Sequence, residues 1–110
     1  THYIWTDWNG SEVLAVLRSS CSDPLGSSDV LVMQVLRDAD DRLVVLFYGT
    51  HYYGTWAAGW YFKFVVYPTI TDWQDSYYIV RWTDAASGSS ANFTPDQGDT
   101  YTILAQGSPP

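Results

Sequence analysis

The residues best able to bind a partner in this chain are aromatic, with six Trp and nine Tyr among its 110 residues. A flat ring stacks on the C–H face of a sugar, and large rigid rings also anchor protein interfaces. The core of a domain this small does not need all of these rings. We therefore predict a contact surface built from rings in loops and at strand edges, namely Trp5, Trp8, Tyr52, Tyr53, Trp56 and Trp73.

Patterns that would support catalysis or metal binding are missing from the sequence. His2 and His51 are the only histidines, and neither has the spaced His, Cys or carboxylate partners that a metal site requires. Cys21 is the single cysteine, so no internal disulfide can form, and no Ser has the Gly-x-Ser-x-Gly context of a hydrolase nucleophile. We predict a protein without enzymatic activity, catalytic residues, bound metal or cofactor.

The acidic residues are almost all Asp, which accounts for eleven of the twelve. The short Asp side chain favours turns because it accepts hydrogen bonds from the nearby backbone. The clusters "DADD" and "DQGD" space their oxygens as calcium-binding loops do, but neither continues into the full pattern of an EF-hand loop. Turns are therefore the preferred interpretation of both clusters.

Both asparagines of the chain begin a glycosylation sequon, "NGS" at Asn9 and "NFT" at Asn92. Glycans would be attached at these positions only if the protein passes through a secretory route. The alternative, which we favour, is that both are turn residues that happen to precede a Ser and a Thr.

The charge of the chain excludes several classes of partner. The net charge is −7, and Lys63 is the only lysine. Without a basic patch the chain cannot neutralise phosphates, so we predict no nucleic-acid partner and no attachment to anionic lipid. No apolar run approaches the roughly 20 residues of a membrane span, and the chain as given has no signal-peptide pattern. We therefore predict no membrane insertion.

Seven runs rich in β-branched and aromatic residues are separated by turns and loops, and no helical periodicity persists. The predicted fold class is therefore all-β. We expect one domain over residues 1–110, an antiparallel β-sandwich of about seven strands, Ig-like or jelly-roll-like, with a small barrel as the second choice. The predicted strands are residues 2–8, 12–18, 30–37, 42–48, 60–67, 76–82 and 100–106.

Glycine recurs at every fifth residue in the stretch "GTHYYGTWAAGWYFKF", which spans 49–64. We predict that 49–59 form a long loop whose glycines permit tight turns and whose rings are available for contact. From Trp60 onward the pattern is that of a strand. In a strand Trp60, Phe62 and Phe64 would share one face, so we predict that they are buried in the core.

The runs 30–37 and 42–48 are apolar on both faces. A strand of a sandwich normally buries only one face. Two apolar faces indicate strands that are central to the fold or covered by another element. In a domain this small, the cover could be another chain.

The stretch "FTPDQGDTYTILA" places Tyr101 after a Pro-containing turn and at the start of an alternating strand. It is similar to the tyrosine-corner region of immunoglobulin-like and fibronectin-type domains, with Tyr101 as the corner residue. The similarity is confined to this short stretch and assigns the chain to no family. It favours a sandwich.

These observations favour a protein that works by contact rather than by catalysis. We expect a structural or assembly module with protein partners, through self-association or within a larger assembly. A small capsid or tail component of a virion, or a component of an extracellular filament, would fit, with a location outside the cell or on the virion surface. Two alternatives stay open: a secreted lectin-like module that binds a glycan through its loop aromatics, and a small protein-binding inhibitor or adaptor.

Overall fold

The strands form two separate antiparallel sheets within the residues that the computed structural model describes, 2–7, 9–21, 27–73 and 76–108. The strands are β1 (His2–Thr6), β2 (Glu12–Leu17), β3 (Ser28–Arg37), β4 (Leu43–Gly49), β5 (Ser76–Thr83) and β6 (Thr100–Gly107). β1 and β2 form a hairpin, and the other strands form a four-stranded sheet in the order β4-β3-β5-β6. Six of the seven predicted strands are therefore present, with ends shifted by no more than two residues.

The one predicted strand that is absent, 60–67, is helical instead. The helical segment begins inside the predicted loop 49–59. Helix α1 (Tyr52–Tyr61) continues into a π-helical turn (Phe62–Val66) and a 3-10 segment (Tyr67–Trp73). The all-β prediction is therefore wrong in this part of the chain, although strands predominate elsewhere.

The buried face of α1 explains why this segment is helical. Its buried residues follow the i, i+3, i+4, i+7 spacing of one helix face. They are Gly54, Ala57, Ala58 and Tyr61. Three of the four are small, so the helix can lie close to the strands β3 and β4 that it contacts. The expectation of a strand relied on the large rings, whereas the buried helical face is marked mainly by small residues.

β3 lies at the centre of the fold and is covered on both faces by the chain itself. Leu31, Met33 and Val35 pack in one core cluster with residues of α1. Val30 and Val32 pack in a second cluster with residues of the β1–β2 hairpin. The two apolar faces of this strand therefore reflect two layers of cover, one helical and one of β-structure, and not a second chain.

The "DADD" cluster forms the turn between β3 and β4. The Asp38 carboxylate accepts backbone N–H bonds from Asp40 at 2.9 Å and from Arg42 at 2.8 Å. The Arg42 bond contributes most to holding the pKa of Asp38 below its usual value. Asp41 adopts the left-handed conformation with φ 61°, which Asp tolerates better than most residues. The cluster is a hairpin turn, as its composition predicts.

The arrangement differs from a β-sandwich on one side of the large sheet. The helical segment covers the face where a sandwich would have a second sheet, and neither sheet closes on itself. In the described part of the chain, no helix combines the length and the apolar character needed to cross a membrane.

Candidate contact site

Three of the predicted contact residues lie together at the start of α1. Tyr52 and Trp56 are 67% and 48% exposed. The ring centroid of Tyr53 lies 4.1 Å from that of Tyr52 and 6.3 Å from that of Trp56. Tyr53 also stacks on the buried Trp82, at 6.0 Å. The helix thus brings Tyr52, Tyr53 and Trp56 into contact, and we call these three residues the aromatic cluster. The stack of Tyr53 on Trp82 connects the cluster to the core.

A buried carboxylate holds the start of the helix. Asp29 is fully buried, and it accepts backbone N–H bonds from His51 at 3.0 Å and from Gly54 at 2.8 Å. It also accepts the hydroxyl of Thr50. No side chain at the N-cap position makes a capping bond. Asp29 therefore acts as the cap from β3, and its charge lies where the helix dipole favours an anion.

Asp29 was not expected at this site from the sequence. Residue 29 lies between the predicted strands 12–18 and 30–37, in a connection where an Asp is ordinary. The one available signal is that Asp29 directly precedes the apolar run beginning at Val30. Such a position does not show which helix the side chain will reach, because the helix begins more than twenty residues later.

Two glycines of the recurring series permit close approach between the helix and the strands. A Cβ on Gly49 would lie 2.2 Å from the Thr55 backbone nitrogen, and one on Gly54 would lie 2.6 Å from the Val30 carbonyl oxygen. Apart from its chain neighbours and the backbone of its own helix, nothing in the described residues lies within 4 Å of a Cβ built on Gly59. The glycine spacing therefore has a packing reason at its first two positions only.

More rings follow the aromatic cluster along the helical segment. Trp60 stacks on Tyr101 with centroids 4.9 Å apart and contacts Phe64 at the same distance. Phe64 and Tyr67 are exposed. The prediction that Trp60, Phe62 and Phe64 share a buried face is wrong, because residues two apart point in different directions on a helix. Trp60 and Phe62 are half-buried instead.

Tyr101 makes a local contact with the loop that precedes its strand. Its hydroxyl donates to the Asp96 carbonyl in a long hydrogen bond of 3.4 Å. Burial and the negative charges of Asp99, Asp96 and Asp84 raise the pKa of Tyr101 above its usual value. The stack of Tyr101 on Trp60 connects the start of β6 to the helix. Tyr101 lies near the start of β6, an edge strand of the four-stranded sheet.

The remaining predicted contact residues have other surroundings. Trp5 is half-buried and lines a groove of about 470 Å³ that lies between the β1–β2 hairpin and the four-stranded sheet. The Trp73 ring packs edge-on against Tyr61 and Tyr78, which are both buried. Trp73 therefore contributes to the core rather than to a free surface. Trp8 lies outside the described residues.

Both sequon asparagines lie in exposed turns. Asn9 precedes Gly10, which has a φ of 85°. The Asn92 amide donates to Asp96 at 2.9 Å, and its oxygen accepts the Thr94 N–H at 3.0 Å. Both are turn residues, and glycosylation remains a prediction that the fold does not test.

The edge strand β4 forms a second exposed apolar surface that was not among the predicted sites. The side chains of Val44, Leu46 and Tyr48 are exposed on the face turned away from α1. Residues 43–49 carry no charge, and their register with β3 is unbroken. The apolar pattern of this run was visible in the sequence. Its position at an edge depends on the strand order, which the sequence does not reveal.

A cysteine thiol and a histidine imidazole line the same cavity, but they are not arranged as a nucleophilic site. Cys21 and His51 both line a cavity of about 410 Å³. The His51 Nδ1 atom lies 3.6 Å from the Asp29 Oδ1 atom, which is beyond hydrogen-bond distance. Cys21 is buried, and its sulfur lies 3.8 Å from the Leu17 carbonyl oxygen. This geometry lacks the accessible sulfur and the oriented imidazole that a cysteine nucleophile needs.

Metal ligands and known relatives give no further guide to function. Within the described ranges, no three His, Cys, Asp or Glu side chains are arranged to hold a metal ion. Comparison with known proteins found no family model, no curated protein and no solved structure that matches this chain. Functional conclusions therefore depend on the residues of this chain alone.

Proposed function

We propose that this protein is a non-catalytic structural module that assembles through protein–protein contacts, as a small virion component or an extracellular filament component would. The observation that carries this proposal is β4, an exposed edge strand without charge, proline or bulge. A location outside the cell or on a virion surface belongs to the same proposal.

An edge strand of this kind is unusual in a protein that stays monomeric. Its unpaired N–H and C=O groups can pair with a strand of another chain. Monomeric proteins usually protect such edges with charged residues, prolines or bulges. Residues 43–49 have none of these, and the side chains of Leu46 and Tyr48 are half exposed, at 51% and 50%. Burial of these side chains would favour association.

The net charge supports the proposal in a different way. A net charge of −7 keeps separate copies soluble through mutual repulsion. The uncharged edge is then a place where two copies can meet without placing like charges opposite each other. An acidic surface with a neutral edge suits a component that stays dissolved until it assembles.

Leu46→Lys tests the proposal because it introduces the protection that β4 lacks. Leu46 is 51% exposed, so the folded monomer should lose little stability. We expect the mass of the natural chain, measured by light scattering over a range of concentrations, to rise above that of the monomer. The variant should associate at least about tenfold more weakly, a change of about 1.4 kcal/mol.

Ile4→Lys is the matched control, since Ile4 is 58% exposed on the separate hairpin and the charge change is the same. It should associate like the natural chain. Equal weakening by both substitutions would assign the effect to net charge and not to β4. A natural chain that stays monomeric at high concentration would contradict self-assembly. A fixed complex with one different protein would instead favour the inhibitor or adaptor function.

Carbohydrate binding is a second candidate function, and the aromatic cluster favours it. Tyr52 and Trp56 expose their rings, and Tyr53 joins them to the buried Trp82. Rings held in place on a rigid core form the kind of apolar platform on which sugar rings stack.

Trp56→Ala tests carbohydrate binding. We expect a bound glycan to quench Trp fluorescence in the natural chain and to lose at least about tenfold in affinity in the variant, because the stacking surface is removed. Tyr67→Ala is the control, since Tyr67 is similarly exposed further along the helical segment. A glycan array without any binding would count against this candidate.

A further inference from the structure

Along β4, residues that bond β3 alternate with residues whose backbone groups face outward. The Thr50 N–H donates to the Val30 carbonyl at 2.9 Å, directly after the strand. In an antiparallel pair every second residue bonds the neighbouring strand, so the even-numbered residues of β4 also bond β3. Three residues then direct their N–H and C=O groups away from the sheet. They are Leu43, Val45 and Phe47.

A side chain of the helix limits this open edge at one end. Gly49 is the next outward-facing residue, and its N–H donates to the Thr55 hydroxyl at 2.9 Å. Among the described residues, no hydrogen bond is made by the outward backbone groups of Leu43, Val45 or Phe47. The open edge therefore consists of these three residues, with Val45 at its midpoint.

We infer that β4 pairs in antiparallel orientation with β4 of a second copy, with Val45 opposite Val45 of that copy. This inference rests on the proposed assembly function and specifies its contact. A two-fold axis at Val45 also places Leu43 opposite Phe47 of the second copy, and the reverse. These pairs use all of the open groups and form about six hydrogen bonds. The two four-stranded sheets become one continuous sheet.

The side chains that meet across this pairing are compatible. Val44 lies opposite Leu46 of the second copy, and both are exposed in the single chain, so pairing removes apolar surface from water. No charged side chain lies within the strand, so the net negative charge places no like charges opposite each other. Arg42 comes opposite Tyr48 of the second copy, where a cation–π contact can form.

The helices of the two copies lie side by side in this pairing. α1 contacts both β3 and β4, so its axis lies between these strands and the helices of the two copies are about two strand spacings apart, or roughly 10 Å. This is close to the interaxial distance of about 8–10 Å between packed helices, so the two helices contact each other without overlapping. The opposite edge, β6, is less suited to pairing because its register with β5 shifts between Ile79 and Val80. Such an irregularity twists an edge away from a flat partner.

Disulfide trapping tests the pairing and its register. Val44→Cys and Leu46→Cys are made separately, each with Cys21→Ser so that no other thiol is present. Facing residues of a non-hydrogen-bonded pair have Cα atoms about 4.5 Å apart, within the range of a disulfide. An equal mixture of the two variants should form at least about fivefold more linked dimer under mild oxidation than either variant alone. The reason is that residue 44 of one copy faces residue 46 of the other, and neither residue faces the same residue of the other copy.

The other outcomes separate this inference from the proposed function. Strongest linking of Leu46→Cys with itself would place the axis at Leu46 and overturn the register. Association without linking at either position, but with linking through Ile103→Cys on β6, would overturn pairing by β4 and leave assembly standing. A Cys21→Ser chain that stays monomeric at every concentration would contradict both the inference and the assembly function.

Discussion

Gly54 and Gly59 lie in the same short helix but have opposite surroundings. The Gly54 backbone approaches β3 so closely that a Cβ would lie 2.6 Å from the Val30 carbonyl oxygen and 2.9 Å from an Asp29 carboxylate oxygen. A Cβ on Gly59 would meet nothing within 4 Å in the described residues beyond its chain neighbours and its own helix backbone. Glycine is therefore required at one position for packing. At the other position it only adds backbone freedom that the helix must lose.

Alanine at these two positions should have opposite effects on stability. Gly54→Ala should lower the free energy of unfolding by about 1–3 kcal/mol, because the added methyl group overpacks the contact with β3. Gly59→Ala should raise it by about 0.5–1 kcal/mol, because Ala is the better helix former. Urea denaturation of both variants measures the two changes. Stabilisation by both substitutions would show that the helix does not approach β3 at Gly54.

At the scale of elements, strands were predictable and the helix was not. Strand patterns are local: the alternation in β3 and β4 and the turn residues between them can be read directly from the chain. Two features make the helix difficult to predict from the sequence. Its buried face consists mainly of small residues such as Ala57 and Ala58, and its cap, Asp29, comes from a different element.

The same reasoning applies to the contact surfaces. Tyr52, Tyr53 and Trp56 were predicted as contact residues because the glycine-rich stretch was expected to be a loop, and their contact role stays a prediction although the stretch is helical. Trp73 was expected at the surface, but it packs on Tyr61, whose place in the core follows from the helix. The β4 edge depends on strand order, which arises from long-range pairing and leaves no local pattern.

At the scale of the whole molecule, charge and apolar surface act in opposite directions. The chain carries a net charge of −7, which makes each copy repel every other. Its large exposed apolar side chains include Leu46 and Tyr48 on the edge strand, and their burial favours association. The balance between these two effects depends on how far the charges act through the solvent.

Salt should therefore strengthen self-association. Raising the ionic strength from about 0.01 M to about 0.15 M shortens the Debye length from about 30 Å to about 8 Å. Repulsion between acidic copies is then screened, whereas the uncharged pairing at β4 is not. Sedimentation velocity at the two salt concentrations should show a larger average mass at the higher one. Weaker association at high salt would indicate that ion pairs, and not the neutral edge, join the copies.

The cap supplied by Asp29 has a consequence for the order in which the chain folds. Asp29 precedes the N–H groups that it bonds by 22 and 25 residues. A ten-residue helix with two internal glycines is marginal on its own. Its nucleation should therefore wait until the β3–β4 hairpin has formed and brought the carboxylate into place. Because the hairpin also leaves the ribosome first, we expect the aromatic cluster to be completed late in folding.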